Sequence, residues 1–279
     1  MYVTSTVLPG SGLSSSAACE VLIGTTGNHL FCQDKFDAVE IAKIGQAAEN
    51  EYFGKPCGLM DQTASSVGDA VAIDFKDPAN PIVRSINANL TGLGLALCII
   101  DCGADHAALT NEYASIPEEM CKVAAHFGKK VLREVKEEDL LADLAQVRKE
   151  AGDRAVLRAL HFYADDRRAA EEADALERKD KEAFLNLVKE SGRSSWELLQ
   201  NITPAAAITH QDMAVALAVA EKALNGKAAC RVHGGGFAGT IQAFVPVEDV
   251  CEFKKTMETM LSEGCCHVLS IRPAGGLIL

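Results

Sequence analysis

The sequence lacks several features that would place it in a large class of proteins. No apolar run approaches the length of a membrane-spanning helix, and Met1 does not open a recognisable signal peptide. Positive charge is scarce, since 27 Lys and Arg stand against 39 Asp and Glu, which gives a net charge of −12. This balance argues against a surface for nucleic acid or for anionic membranes. We therefore expect no nucleic-acid partner and no membrane.

The ten cysteines follow neither a metal-ligand spacing nor the spacing of a disulfide framework. We interpret them as reduced thiols, several of them in the core, and therefore expect a cytoplasmic protein. The chain of 279 residues is 48% hydrophobic, which is enough for a large core and one or two domains. Its acidity does not exclude an anionic ligand, because backbone amides and a bound cation can neutralise anionic groups locally.

The first informative stretch is a glycine-containing turn that opens onto a helix near the start of the chain. It is not a Walker A loop, because no Gly-Lys-Ser/Thr follows the glycines. Unpaired N–H groups at a helix start form an anion site, and serine hydroxyls can bind phosphate oxygens or Mg²⁺. The alternative is an ordinary serine-capped helix, although a cap needs only one serine. The candidate phosphate-binding residues are Pro9, Gly10, Ser11, Gly12, Leu13, Ser14, Ser15 and Ser16.

The second informative stretch is Gly54–Ser65, which contains Met-Asp-Gln. Asp61 could simply cap a helix, but Ala64 stands where a capping box requires Glu or Gln. A carboxylate held ionised by a helix N-terminus also suits a group that takes or orients a hydroxyl proton. Upstream, Glu49 is on composition alone an exposed glutamate at a helix end.

The third informative stretch, Gly234–Gly239, satisfies the Gly-x-Gly-x-x-Gly pattern of dinucleotide-binding loops. That interpretation requires a following helix, whereas the alternating residues 240–245 predict a strand. We therefore reject a Rossmann site and predict a glycine turn between two strands, whose backbone can lie close to a ligand. We assign no catalytic role to His233.

These three stretches, in this order, resemble the motifs of the GHMP small-molecule kinases, and Met-Asp-Gln resembles the galactokinase branch of that superfamily. The resemblance implies ATP and Mg²⁺, with Asp61 as the catalytic base and with Ser16 and Glu49 holding the metal. It also implies that galactose is the sugar substrate and that Tyr113 contacts it. The implied substrate-binding residues are Gly58, Asp61, Tyr113, Gly235 and Gly236.

The resemblance implies an α+β protein with the GHMP kinase fold. We expect the remainder of a ribosomal-S5-like N-terminal domain over residues 1–90, and a C-terminal α+β domain with an antiparallel sheet and helices over residues 91–279. The periodicity predicts helices over 14–30, 34–52, 109–127, 137–148, 154–178, 181–199, 209–224 and 247–261, and a shorter one from Asp61 to about Gly68. It predicts strands over 71–75, 81–86, 93–102, 229–233, 240–245 and 266–272.

The implied reaction is the ATP-dependent phosphorylation of galactose at its 1-position. The arginine-containing segment with which the family begins has no match here, so we expect an incomplete, weakly active or inactive portion of such an enzyme. We also expect self-association through surfaces that the segment would cover. Two alternatives stay open, namely a non-catalytic sensor or remnant and a GHMP kinase for another sugar.

Overall fold

The structure, a computed structural model, describes residues 2–7, 13–54, 57–103 and 109–279. The chain forms two compact units. The first comprises Met1–Asn89 together with Ser270–Leu279, and the second comprises Leu90–Leu269.

The first unit packs three helices together and adds a two-stranded antiparallel sheet. In chain order it contains α1 (Ser15–Cys32), α2 (Ala38–Ala47), a π-helical turn (Ala48–Tyr52), α3 (Met60–Val67), β1 (Ala70–Asp74) and β2 (Ile82–Ile86). A capping box starts α2, because Asp37 and Glu40 each accept a hydrogen bond from the other's backbone N–H at 2.8 Å. Apolar residues of α1 and α2, such as Val21 and Ile41, are buried.

The second unit is built on a four-stranded sheet in the order β4-β5-β3-β6, in which every neighbouring pair is antiparallel. Its strands are β3 (Leu95–Asp101), β4 (Ala229–Val232), β5 (Thr240–Pro246) and β6 (Cys266–Leu269). Its helices are α4 (Thr110–His126), α5 (Glu137–Ala142), α6 (Leu144–Ala151), α7 (Asp153–Glu177), α8 (Lys181–Ser194), α9 (Asp212–Leu224) and α10 (Val250–Met260). The antiparallel α+β architecture confirms the prediction.

Two hydrophobic cores lie within the second unit. One packs α9 and α10 against the sheet, with Ile100, Ile241 and Met257 fully buried. The other lies among α4 to α7. Beside it, the buried guanidinium of Arg158 contacts Glu119 at 2.9 Å and donates to the Leu199 carbonyl oxygen at 3.1 Å. Removing the partner of a buried charge that is paired in this way strongly destabilises the folded protein.

The sequence predicts whether a segment is a helix or a strand more often correctly than it predicts where that element ends. The predicted helix 137–148 is divided at Asp143, which ends α5 and begins α6. The predicted helix 181–199 is α-helical only to Ser194 and continues as a π-helical turn, Ser195–Leu199.

The C-terminal tail differs from the expectation that the second domain continues to residue 279. Strand β6 ends at Leu269, and the tail belongs to the first unit. The Asp69 N–H donates to the Arg272 carbonyl at 2.7 Å, and the Gly275 N–H donates to the Val67 carbonyl at 3.2 Å. A Cβ on Gly275 would lie 1.8 Å from the Ser66 carbonyl oxygen, so glycine permits this close approach of two backbones.

Glu172, on α7, gives the second unit a pH-dependent stability. Burial raises the pKa of its carboxyl group to about 7, against the opposing charge of Arg231. A carboxyl group whose pKa is raised in the folded protein makes its full contribution to stability below the pKa that it has in the unfolded chain. This contribution is lost as pH rises through the pKa of the folded protein. Between about pH 5 and about pH 8, we expect the wild type to lose about 2 kcal/mol more unfolding free energy than Glu172→Gln. Urea unfolding of both proteins at each pH checks this, and parallel pH profiles would contradict it.

Candidate functional site

The serine-rich stretch is partly described, since Pro9, Gly10, Ser11 and Gly12 lie outside the described residues. Ser14 stands immediately before α1 in the left-handed conformation, with φ +57°, and its side chain makes no capping hydrogen bond. Its hydroxyl instead donates to Asp61 Oδ2 at 2.7 Å, across 47 residues of sequence. Ser14 therefore does not serve as the ordinary helix cap, and the end of the serine stretch meets the candidate base.

Asp61 is the second residue of α3, because Leu59 holds the position before the helix. The interpretation of Asp61 as the helix cap is therefore wrong. Its carboxylate lies in the first turn of α3. It is half-buried and accepts the Ser14 hydroxyl.

Glu49 is buried, with 4% of its surface exposed, which corrects the interpretation of an exposed helix end. It lies in the π-helical turn after α2. The Gln62 amide donates from Nε2 to Glu49 Oε2 at 3.1 Å and to Glu20 Oε2 at 3.0 Å. Burial and the Glu49 carboxylate also raise the pKa of the Cys57 thiol.

Glu20 and Gln62 form part of this carboxylate cluster, and sequence reasoning did not single them out. A signal was present, because Ser16 and Glu20 are four residues apart and so share one face of α1. Gly45 of α2 makes room for the cluster, since a Cβ there would lie 3.1 Å from Glu20 Cβ and 3.4 Å from Gln62 Cγ.

The donors in the first unit fit a hard cation. Mg²⁺ prefers oxygen ligands and is usually bound through one or two carboxylates together with substrate phosphates. Glu49 and Glu20 supply buried or half-buried carboxylates that Gln62 orients, and Ser16 supplies a hydroxyl on the Glu20 face of α1. Within the described ranges no three His, Cys, Asp or Glu side chains are grouped so that they could hold a metal ion by themselves.

Gly58 lies in the exposed segment before α3, and a Cβ there would meet no atom within 4 Å. The backbone at this position is therefore open to a ligand. No internal contact of the described residues requires glycine there.

In the second unit, Tyr113 of α4 lies against the glycine turn between β4 and β5. Its hydroxyl donates to the Gly236 carbonyl at 2.7 Å, and its ring meets Phe237 edge-on with centroids 5.6 Å apart. A Cβ on Gly235 would lie 2.7 Å from Tyr113 Cε1. The structure thus brings together three of the predicted sugar-binding residues, and burial raises the pKa of the Tyr113 phenol.

Asn201 holds the other side of this turn, and sequence reasoning missed it. Its carbonyl accepts the Phe237 N–H at 2.5 Å, and its side-chain amide donates to the Gly235 carbonyl at 3.1 Å. His233 contacts Thr240 Oγ1 at 2.9 Å, which is a structural link across the two strands. Strand β5 follows the glycines, as predicted, so the helix required for a dinucleotide fingerprint is not there.

Residues 1–69 match the family described as GHMP kinases N terminal domain. The chain is 33% identical over 252 residues to a galactokinase of Actinobacillus pleuropneumoniae serotype 3, covering 90% of this chain and 62% of that relative. It is 32% identical over 258 residues to a galactokinase of Streptomyces coelicolor, covering 92% of this chain and 64% of that relative. The chain thus spans less than two thirds of the length of these curated relatives.

Solved structures share the fold. The Lactococcus lactis galactokinase complexed with galactose superposes with a TM-score of 0.74 at 22% identity, over 97% of this chain and 68% of that one. The L. major mevalonate kinase in complex with R-mevalonate gives a TM-score of 0.61 at 14% identity, over 97% and 69%. These superpositions confirm the fold that the resemblance implies. Across the described part of the chain, every helix is too short or too polar to cross a bilayer.

Proposed function

We propose that this chain is an ATP-dependent sugar kinase acting on galactose, because residues 1–69 match the GHMP kinases N terminal domain family and galactokinases are among its relatives. The proposed reaction transfers the γ-phosphoryl group of ATP to the 1-hydroxyl of galactose. The observation that carries the proposal is the hydrogen bond from Ser14 to Asp61, which joins the serine-rich stretch to the candidate base.

Asp61 is the proposed base. As the sugar oxygen attacks the γ-phosphorus, its hydroxyl proton passes to the Asp61 carboxylate, the new O–P bond forms and the bond to ADP breaks. The Ser14 hydroxyl fixes the position of the carboxylate before the sugar arrives. General base catalysis requires such a group within hydrogen-bond reach of the proton that it accepts.

The proposed phosphate site is Pro9–Ser16, in which the backbone N–H groups from Gly10 to Ser16 and the serine hydroxyls would cradle the nucleotide phosphates. Ser16 and Glu49 would hold Mg²⁺, and Glu20 would lie beside them. When bound, the metal neutralises charge on the phosphates during transfer. Gln62 keeps the Glu49 and Glu20 carboxylates oriented by donating to both.

The proposed sugar contacts outside the base are Gly58, Tyr113, Gly235 and Gly236. The tyrosine fixes the glycine turn through its bond to the Gly236 carbonyl, so the turn presents a set backbone conformation. Preorganised backbone groups recognise hydroxyls without a further cost of ordering.

Self-association stays a prediction. It is supported by apolar side chains of α1 that are exposed in the first unit, namely Ile23 at 52%, Leu30 at 64% and Phe31 at 83%. Exposed apolar side chains on one helix favour contact with a second copy or another protein.

The experiment is a measurement of ADP release by this chain with Mg-ATP, with and without galactose. We expect release that depends on galactose, and a product that ³¹P NMR identifies as the 1-phosphate. Mannose and mevalonate serve as comparison substrates. ATP binding without galactose-dependent release would contradict the proposal and favour a non-catalytic relative, and release with another sugar alone would reassign the substrate.

A further inference from the structure

A cavity of about 600 Å³ opens in the second unit between α8, α9 and the edge strand β4. Its volume lies within the range of about 300–1,000 Å³ that is typical of small-molecule sites. Buried apolar residues contribute to its lining, among them Leu217, Leu224 and Ala229. Neither Tyr113 nor any residue of the glycine turn lines it, so the cavity is separate from the proposed sugar contacts.

Three cationic side chains line this cavity. Lys189 donates to the Gly226 carbonyl at 3.1 Å, and Arg231 donates to Ser191 Oγ at 2.5 Å. Both of these acceptors are neutral. Arg193 is exposed at the cavity. Within residues 13–54, 57–103 and 109–279, none of the three forms a salt bridge, although the chain carries a net charge of −12.

Two carboxylates, those of Glu197 and Glu221, also line the cavity and are exposed. They form no salt bridge with the three cations. The charge of Arg231 also acts on the Glu172 carboxyl group, whereas Lys189 has a neutral partner and Arg193 is exposed. The latter two remain available to an anion, because an N⁺–H group bonds a charged oxygen more strongly than a neutral one.

The remaining feature is Trp196, the single tryptophan of the chain, which lines the cavity with 44% of its surface exposed. An indole ring offers a flat apolar face on which a planar group can stack. We propose that this cavity binds a small organic anion, a carboxylate or a phosphate monoester, with its charge at Arg193 and its planar apolar body against Trp196.

The single tryptophan makes the test direct, because tryptophan fluorescence, excited selectively over the four tyrosines, reports on the cavity. The full chain is titrated with phenyl phosphate, with phenylacetate and with the neutral phenylacetamide. We expect a saturable change for at least one anion and none for the amide, and the two anions distinguish a phosphate ligand from a carboxylate ligand. Arg193→Gln should weaken binding of that anion about tenfold.

Lys222→Gln is the matched control, since it removes one positive charge from α9 at a position that does not line the cavity. We expect it to change the affinity by less than about twofold. Calorimetric titration of Trp196→Phe should show weaker binding, and thermal melts establish that each variant is folded. An equal response to the amide, no saturable response to either anion, or undiminished binding by Arg193→Gln would each overturn the proposal.

Discussion

Replacing Asp61 by asparagine is expected to lower kcat for galactose phosphorylation by about 10²–10⁴-fold, the usual contribution of a general base. The affinity for ATP should stay within about twofold. The substitution keeps the shape of the side chain and an oxygen that can accept the Ser14 hydroxyl, which now lies 2.7 Å from the carboxylate. It removes only the charge and the ability to take a proton. The measurement is a steady-state assay of ADP release beside a nucleotide-binding titration.

Ser14→Ala is the informative companion to Asp61→Asn. It removes the hydrogen bond that positions the carboxylate but leaves the base itself, so we expect a smaller loss of about tenfold in kcat. Equal thermal stability of the wild type and Asp61→Asn would show that the fold is intact. If Asp61→Asn turned over at the wild-type rate, the assignment of the base would be wrong. If neither the wild type nor the variant released ADP, the proposed activity itself would fail.

The sequence was sufficient for elements whose residues alternate in polarity with a regular period. The hairpin of β1 and β2 was predicted over 71–75 and 81–86 and lies within one residue of those bounds. Its apolar and β-branched runs are separated by a polar turn, which is a local signal. Helix α1 was also located, with its start predicted one residue early and its end two residues early.

The burial of Glu49 could not be predicted in this way. On composition alone a glutamate at the end of the predicted helix 34–52 is expected to be exposed, but the π-helical turn Ala48–Tyr52 changes the phase of the helix at this residue. The side chain then meets Gln62 in another helix, and this partner is 13 residues away in the sequence. A periodicity argument contains no information about such a contact.

The contacts of Asn201 and of the C-terminal tail could not be predicted for the same reason, because each joins residues that are far apart in the sequence. Asn201 bonds the Gly235 carbonyl across 34 residues, and Arg272 bonds Asp69 across the length of the second unit's sequence. Local propensity determines which element forms, whereas tertiary packing determines what it touches. The motifs place Ser14 directly before α1 and Asp61 in the first turn of α3, and the structure joins these two residues by a hydrogen bond.

Gly236→Ala is expected to cause the largest loss of stability among single methyl additions at the glycine turn, about 3 kcal/mol or more of unfolding free energy. Two effects combine. Gly236 has φ +84°, which a side chain strains, and a Cβ there would lie 2.1 Å from the Asn201 carbonyl oxygen. That oxygen already accepts the Phe237 N–H, so the backbone of Asn201 cannot retreat without breaking this bond. Urea unfolding measures the loss.

Gly234→Ala separates the two effects. Gly234 also has a positive φ, +65°, but a Cβ there would meet no atom within 4 Å. We therefore expect it to lose only the conformational part, about 1 kcal/mol. The Gly236 carbonyl accepts the Tyr113 hydroxyl, so displacement of the turn should also raise the KM for galactose in Gly236→Ala while Gly234→Ala stays near the wild type. Equal destabilisation by the two substitutions would show that the Asn201 backbone moves away from the added Cβ at little cost. The close packing of this turn would then not fix the backbone of the proposed sugar contacts.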